Sequence, residues 1–269
     1  MNWLIRYGRV GLCPTMRNGG PRPTLRVSNS LIAHSLVLLA LLLVGCRGKP
    51  VDHLTQGVAH ANKGEYDQAI SEFGKAIRVN PASTEAYGNR GLAYYHKGQY
   101  EQAISDFSKA IELNGRYAEA YNNRGNTYAL QGQYDKAIAD FSKAIEIHPA
   151  YAEAYYNRGV TYDQKDQLDE AILDYTKAIQ INQAHATAYC NRGVAYGKKG
   201  QYDEAIADWS KAIEIDPNMS EAYNNRAVAY VGKKEYDKAL QDVRAAQKLG
   251  FEIPAWLLKA LEKTSSENK

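Results

Sequence analysis

The chain has 269 residues, of which 33 are basic and 30 acidic, for a formal net charge of +3. The positive excess sits at one end: residues 1–45 hold five arginines and no acid, whereas residues 46–269 carry 28 basic against 30 acidic residues, a net of −2. A nucleic-acid binder needs a basic face, so the main body of the chain argues against that class of partner.

The first segment has the layout of a secretory signal. Arg6, Arg9, Arg17, Arg22 and Arg26 precede the apolar run Leu36 to Gly45, and Cys46 comes next. A basic region, a short apolar core and a small residue at the break are the marks of such a signal. The run is too short for a stable span of about 20 residues, and His34 and Ser35 interrupt any extension. Met16 is an alternative start that leaves three arginines ahead of the core. Leu43-Val44-Gly45-Cys46 resembles the bacterial lipobox. That resemblance implies cleavage before Cys46, acylation of its thiol with palmitate-like chains, and export to a bacterial membrane. Arg47 in place of Asp after the cysteine favours the outer membrane where the cell has two. Residues 1–45 are then a signal peptide and 46–49 a short lipidated tether.

From Pro50 to about Phe251 one pattern returns every 34 residues. Six units fit without a gap: 50–83, 84–117, 118–151, 152–185, 186–219 and 220–253. Position 4 is His53 and then tyrosine, position 8 is Gly57, Gly91, Gly125, Gly159, Gly193 and Ala227, and position 11 is His60 and then tyrosine. Position 20 is always alanine, and position 24 is Phe73, Phe107, Phe141, Tyr175, Trp209 and Val243. Spacings of three and four place 4, 8 and 11 on one helical face and 20, 24 and 27 on another. Each unit is therefore a helix pair, closed by a turn near position 15 and another near 32. Small residues at 8 and 20 let the two helices approach. This pattern resembles the tetratricopeptide repeat family. The resemblance implies an all-α fold, a right-handed superhelical solenoid of six helix-turn-helix repeats with a concave groove lined by the first helices. Residues 254–263 resemble its C-terminal capping helix, with Pro254 in the first turn, and the tail 264–269 is expected to fray.

The groove residues come from the same register. Asn89, Asn123, Asn157, Asn191 and Asn225 recur at position 6, which faces the groove in the family, and Asn126 adds another amide at position 9. Amides both donate and accept, so a row of them grips a peptide backbone without reading its sequence. Tyr95 and Tyr156 lie off the packing positions and are expected to point into the groove as aromatic anchors. Position 2 holds Glu85, Glu119, Glu153 and Glu221, and position 5 has no lysine. The family's carboxylate clamp is thus missing, and a neutral or basic segment suits the groove better than an acidic tail. Arg90, Arg124, Arg158, Arg192 and Arg226 at position 7 are expected to pair with the acid at position 23 of the preceding unit, stapling neighbours. The position-23 acids are also expected to pair with lysines three residues on, such as Lys75 and Lys109.

No HExxH, cysteine–histidine cluster, phosphate-cradling loop or serine elbow occurs. Cys190, at position 5, has no histidine and acid at a catalytic spacing. The expectation is a lipid-anchored, non-enzymatic interaction scaffold with no metal or cofactor, binding a protein or peptide partner. Self-association through the ends of the array is open. The competing readings are a recruiting subunit for a separate envelope peptidase or transferase, and an unprocessed adaptor on the cytoplasmic side.

Overall fold

The structure, a computed structural model, describes residues 52–267, with side chains as far as Glu262. The leader, Cys46 and the tether lie outside the described residues. Among the described residues there are thirteen helices and no strand, divided after Gln131 into two compact units. The first contains α1 (His53–Asn62), α2 (Tyr66–Val79), α3 (Thr84–His96), α4 (Tyr100–Leu113) and α5 (Ala118–Leu130). The second contains α6 (Tyr134–Ile147), α7 (Ala152–Gln164), α8 (Leu168–Ile181), α9 (Ala186–Lys198), α10 (Tyr202–Ile215), α11 (Ser220–Gly232), α12 (Tyr236–Lys248) and α13 (Ala255–Glu267). From α3 onward the first helices begin at 84, 118, 152, 186 and 220, and the second helices keep the same period.

Within each pair the aromatic at position 24 lies against the glycine at position 8. A methyl group placed on Gly91, Gly159 or Gly193 would come within 2.8–3.0 Å of the ring of Phe107, Tyr175 or Trp209. Those rings are 0% exposed, and each buried aromatic contributes about 1.5–3 kcal/mol of transfer energy. In the last repeat Ala227 replaces the glycine and Val243 replaces the ring, so the larger residue on one helix meets the smaller on the other. The Trp209 indole N–H, which has no counterpart in phenylalanine, donates to the Cys190 carbonyl at 3.1 Å.

Local chemistry sets the turns. Gly64, Gly98, Gly132 and Gly200 at position 15 adopt φ between 73° and 78°. Asp166 (φ 59°) and Lys234 (φ 63°) hold the same left-handed place without being glycine. At the other end, Asn80, Asn114, Asn182 and Asp216 accept the backbone N–H two residues on, at 3.0–3.1 Å, and so turn the chain out of the second helix. Asp52 and Ser83 cap α1 and α3 through their side chains, whereas Tyr117, Tyr151, His185 and Met219 hold the equivalent place without a side-chain cap. The later first helices rest on packing instead.

One expectation about the C-terminus needs correction. Pro254 precedes α13 rather than opening it, and its carbonyl accepts from Leu257 N–H at 2.9 Å. The helix runs to Glu267. Leu257 and Leu261 of α13 join one core cluster with Val228, Val243 and Ala246.

Candidate functional site

Two polar columns shape the surfaces of these units. The first is built on the arginine at position 7. Arg158 Nε and a terminal N–H donate to the two carboxylate oxygens of Asp174, at 2.7 and 2.8 Å. Arg90 with Asp106, Arg192 with Asp208, and Arg226 with Asp242 repeat this fork. Each guanidinium also lies between the position-4 and position-11 tyrosines, 5.5–6.0 Å from their centroids. The hydrogen bonds that Arg90 donates to Asp106 raise the Arg90 pKa against the opposing pull of burial. Burial raises the Asp208 pKa, and the Arg192 hydrogen bond offsets part of that rise.

The carboxylate belongs to the arginine's own repeat, which corrects the expected pairing with the preceding one. Positions 7 and 23 face each other within one helix pair. The preceding repeat contributes a hydroxyl at position 25 instead. Arg124 donates to Ser108, Arg158 to Ser142, Arg192 to Thr176 and Arg226 to Ser210, at 2.8–2.9 Å. Because the aspartate is already taken, Lys109, Lys143 and Lys211 turn forward to Glu112, Glu146 and Glu214 rather than back to it. The first repeat keeps the acid, but Glu72 pairs with His53 at 2.7 Å and Lys75 at 2.5 Å. Neighbouring repeats are also tied at the surface, by Lys97 to Asp67, Lys165 to Asp135, Lys199 to Asp169 and Lys233 to Asp203. Those aspartates are about four-fifths exposed, so solvent screens each tie and it adds little.

The second column is where the partner-binding residues were expected. Asn89, Asn157, Asn191 and Asn225 are buried, the last two completely, and Asn126 is 6% exposed. Only Asn123 of the position-6 set is half-buried. The row is therefore not an open amide ladder. Tyr156 is 1% exposed, which corrects its assignment as an anchor. Its hydroxyl accepts from Asn191 Nδ2 at 3.0 Å, and its ring lies 4.8 Å from that of His185. Position 5 packs under position 34, a relation the helical stripe alone does not reveal. Tyr95 is half-buried, set edge-on to His96 and tilted toward Tyr100. Burial pushes its hydroxyl up to about 12. Glu85 and Glu119 are half-buried and Glu153 exposed. Missed from sequence was the contact of Asp163 with Lys198, at 2.7 Å.

Among the described residues no group of three or more His, Cys, Asp or Glu side chains could hold a metal, and no helix is long and apolar enough to cross a membrane.

Tetratricopeptide repeat models match residues 152–185, 186–219 and 209–241, and a TPR repeat model matches 57–98, 91–132 and 125–166. The crystal structure of MamA is 33% identical over 60% of this chain and 94% of its own, with a TM-score of 0.56. The chain belongs to the tetratricopeptide repeat family. Other members of the fold include YrrB, a TPR protein with an unusual peptide-binding site. It is 26% identical, covering 72% of this chain and 97% of its own, with a TM-score of 0.59. A tetratricopeptide repeat protein from Parabacteroides merdae is 22% identical over 80% of this chain and 86% of its own, with a TM-score of 0.62. No curated protein matches this tetratricopeptide repeat chain.

Proposed function

We propose that this chain is a non-enzymatic scaffold that holds a protein or peptide partner on the surface formed by its first helices, while an acylated Cys46 moors it to a bacterial membrane. The observation that carries the scaffold reading is the tandem tetratricopeptide architecture, in which packing consumes one face of each first helix. The likeness to YrrB, a TPR protein with a peptide-binding site, supports a peptide or protein as the partner. Glu85, Glu119 and Glu153 keep part of their carboxylates in solvent at the first turns of α3, α5 and α7. They favour the positive ends of those helices and, by the same charge, a neutral or basic segment over an acidic one. The lipid anchor rests on the leader's layout and the Leu43-Val44-Gly45-Cys46 motif, and an outer-membrane location rests on Arg47.

The test is crosslinking in cells from a photoreactive residue placed at Tyr95 or Glu153. A discrete partner captured from these sites, lost when Glu85, Glu119 and Glu153 are changed to Gln, is the expected result. Capture from buried Tyr156 should fail. Turnover by the purified protein would overturn the scaffold reading. Labelled palmitate should enter the wild type and not Cys46→Ala; equal labelling of the two would overturn the anchor.

A further inference from the structure

The turns that leave the second helices share one bond and differ in the residue beneath it. At position 31, Asn80, Asn114, Asn182 and Asp216 accept the backbone N–H two residues on. The residue between is Pro81, Gly115, Gln183 and Pro217. The third repeat has His148-Pro149 in these places and the sixth has Gly250-Phe251, neither with a side-chain amide at position 31. Proline offers no N–H. Among these turns an amide followed by a peptide N–H therefore stands only at Asn114 and Asn182, and only at Asn114 is the next residue without a side chain.

The two turns are otherwise alike. Both asparagines are exposed, with φ −140° and ψ 95° at Asn114 and φ −126° and ψ 94° at Asn182. Arg116 N–H donates to Asn114 Oδ1 at 3.0 Å, and Ala184 N–H donates to Asn182 Oδ1 at 3.1 Å. That bond folds the amide forward along the chain, over the peptide nitrogen that follows it. It also sets a donor on the oxygen that takes up charge when its carbon is attacked. Among the described residues no acceptor takes the Gly115 N–H, and a methyl group placed on Gly115 would meet nothing within 4 Å. Closing a ring from this nitrogen to Cγ needs the peptide plane to turn about the Asn114 Cα–C bond. Glycine in open space permits that motion, whereas the side chain of Gln183 hinders it.

We propose that Asn114 is a site of spontaneous covalent modification, which consumes water, releases ammonia and turns the asparagine into aspartate and isoaspartate. The Gly115 nitrogen, deprotonated by solvent base, bonds to Asn114 Cγ; the Cγ–Nδ2 bond breaks, and Nδ2 leaves protonated as ammonia. Water then opens the cyclic imide. No electrons are transferred, and water is the only co-reactant. Opening at Cγ restores the main chain with an aspartate, a residue that this turn already carries as Asp216 with the same bond to the N–H two residues on, at 3.0 Å. Opening at the main-chain carbonyl routes the chain through Cγ and lengthens it by a methylene. The isoaspartate so formed takes out of the main chain the carbonyl that accepts the Tyr117 N–H at 3.1 Å. Tyr117 is the ring that lies against Gly88, so this product loosens the contact between α3 and the start of α5.

The experiment incubates the folded full-length protein in mildly alkaline buffer. It follows the peptides that contain Asn114 and Asn182 by mass and chromatographic retention, which separate asparagine, aspartate and isoaspartate. Exchange of –NH2 for –OH at Asn114 should outpace that at Asn182 several-fold, with isoaspartate among the products. Gly115→Gln should slow Asn114 to the Asn182 rate, and Gln183→Gly should raise Asn182 to the Asn114 rate. Each of these residues already stands at position 32 of another repeat, so both variants keep a turn that the fold accepts. Equal rates at the two asparagines of the wild type, rates that do not follow the glycine in the exchanged variants, or aspartate as the sole product would each overturn the proposal. The readouts need no partner, so failure of the scaffold reading leaves them unaffected.

Discussion

Position 5 and position 7 stand two residues apart on each first helix, yet they obey different rules. Position 7 is arginine from the second repeat to the sixth, and in Arg90, Arg158, Arg192 and Arg226 it meets the same aspartate fork and the same pair of tyrosines. Position 5 runs through Gly88, Asn122, Tyr156, Cys190 and Asn224. Its neighbour at position 34 changes with it: a methyl on Gly88 would touch the Tyr117 ring at 3.0 Å, while Tyr156 lies under the imidazole of His185. A bidentate ion pair demands fixed donors at fixed angles. A packing contact demands only that two volumes fill one space. The first kind of position repeats its residue; the second does not.

Breaking the arginine column should have the largest effect. Arg158→Ala leaves Asp174, 2% exposed, without its fork, and loss of one partner of a buried pair costs about 3 kcal/mol. Tyr156→Phe removes one neutral hydrogen bond to Asn191 and should cost about 1 kcal/mol. Urea unfolding of both variants checks the ratio, and equal losses would erase the distinction between the columns. Between these two lies Gly193→Val, which pushes a branched side chain into the Trp209 ring at 2.8 Å. Overpacking of this kind costs about 1–3 kcal/mol, whereas Ala227, facing Val243, should accept valine more readily.

Much of this architecture is legible in the sequence. The 34-residue period, the two helices per unit and the glycine–aromatic contact all come from residues that recur at fixed spacing. So does the existence of a partner for each position-7 arginine. Its identity is not legible, because one acid per repeat fits the same repeat and the preceding one equally well in a one-dimensional register. The burial of Tyr156 is hidden for a related reason. A residue off the main helical stripe is buried only if the loop at position 34 folds over it, and His185 carries no signal of that in its own neighbourhood. Asp163 and Lys198 are 35 residues apart, one period and one step, which a search confined to single units does not examine.

Two substitutions should strengthen the molecule by carrying one repeat's solution into another. Gly74 is the position-25 residue facing Arg90, where later repeats supply Ser108, Ser142, Thr176 and Ser210 to the next arginine. A methyl there would lie 3.8 Å from the guanidinium, so serine fits. Gly74→Ser should add about 1 kcal/mol, from helix propensity and one hydrogen bond. Asp166→Gly should add a similar amount, about 1 kcal/mol, by relieving a left-handed residue at the position where Gly98 and Gly132 already stand. Thermal unfolding reads both, and a loss of stability in either would show that the repeats are not interchangeable at these points.

The smallest expected effect is a difference in pH response between two groups of the second unit, half-buried His185 and buried Asp163. Burial lowers the His185 pKa, against the pull of Glu153, so protonated His185 is worse off folded than unfolded. Its contribution to stability is whole above the unfolded value of about 6.5 and is lost as pH falls below it toward the depressed folded value. Asp163 runs the other way. Its folded pKa is raised by burial, so its contribution is whole below about 3.9 and is lost as pH rises through the folded value. In His185→Gln the wild-type advantage should therefore shrink between pH 7 and pH 5. Asp163→Asn, by contrast, should be relatively more stable at pH 7 than at pH 4. Parallel pH profiles for the two variants would show that burial at position 34 and burial at position 12 are not distinct environments, and the contrast between a packed imidazole and a dry carboxylate would have to be given up.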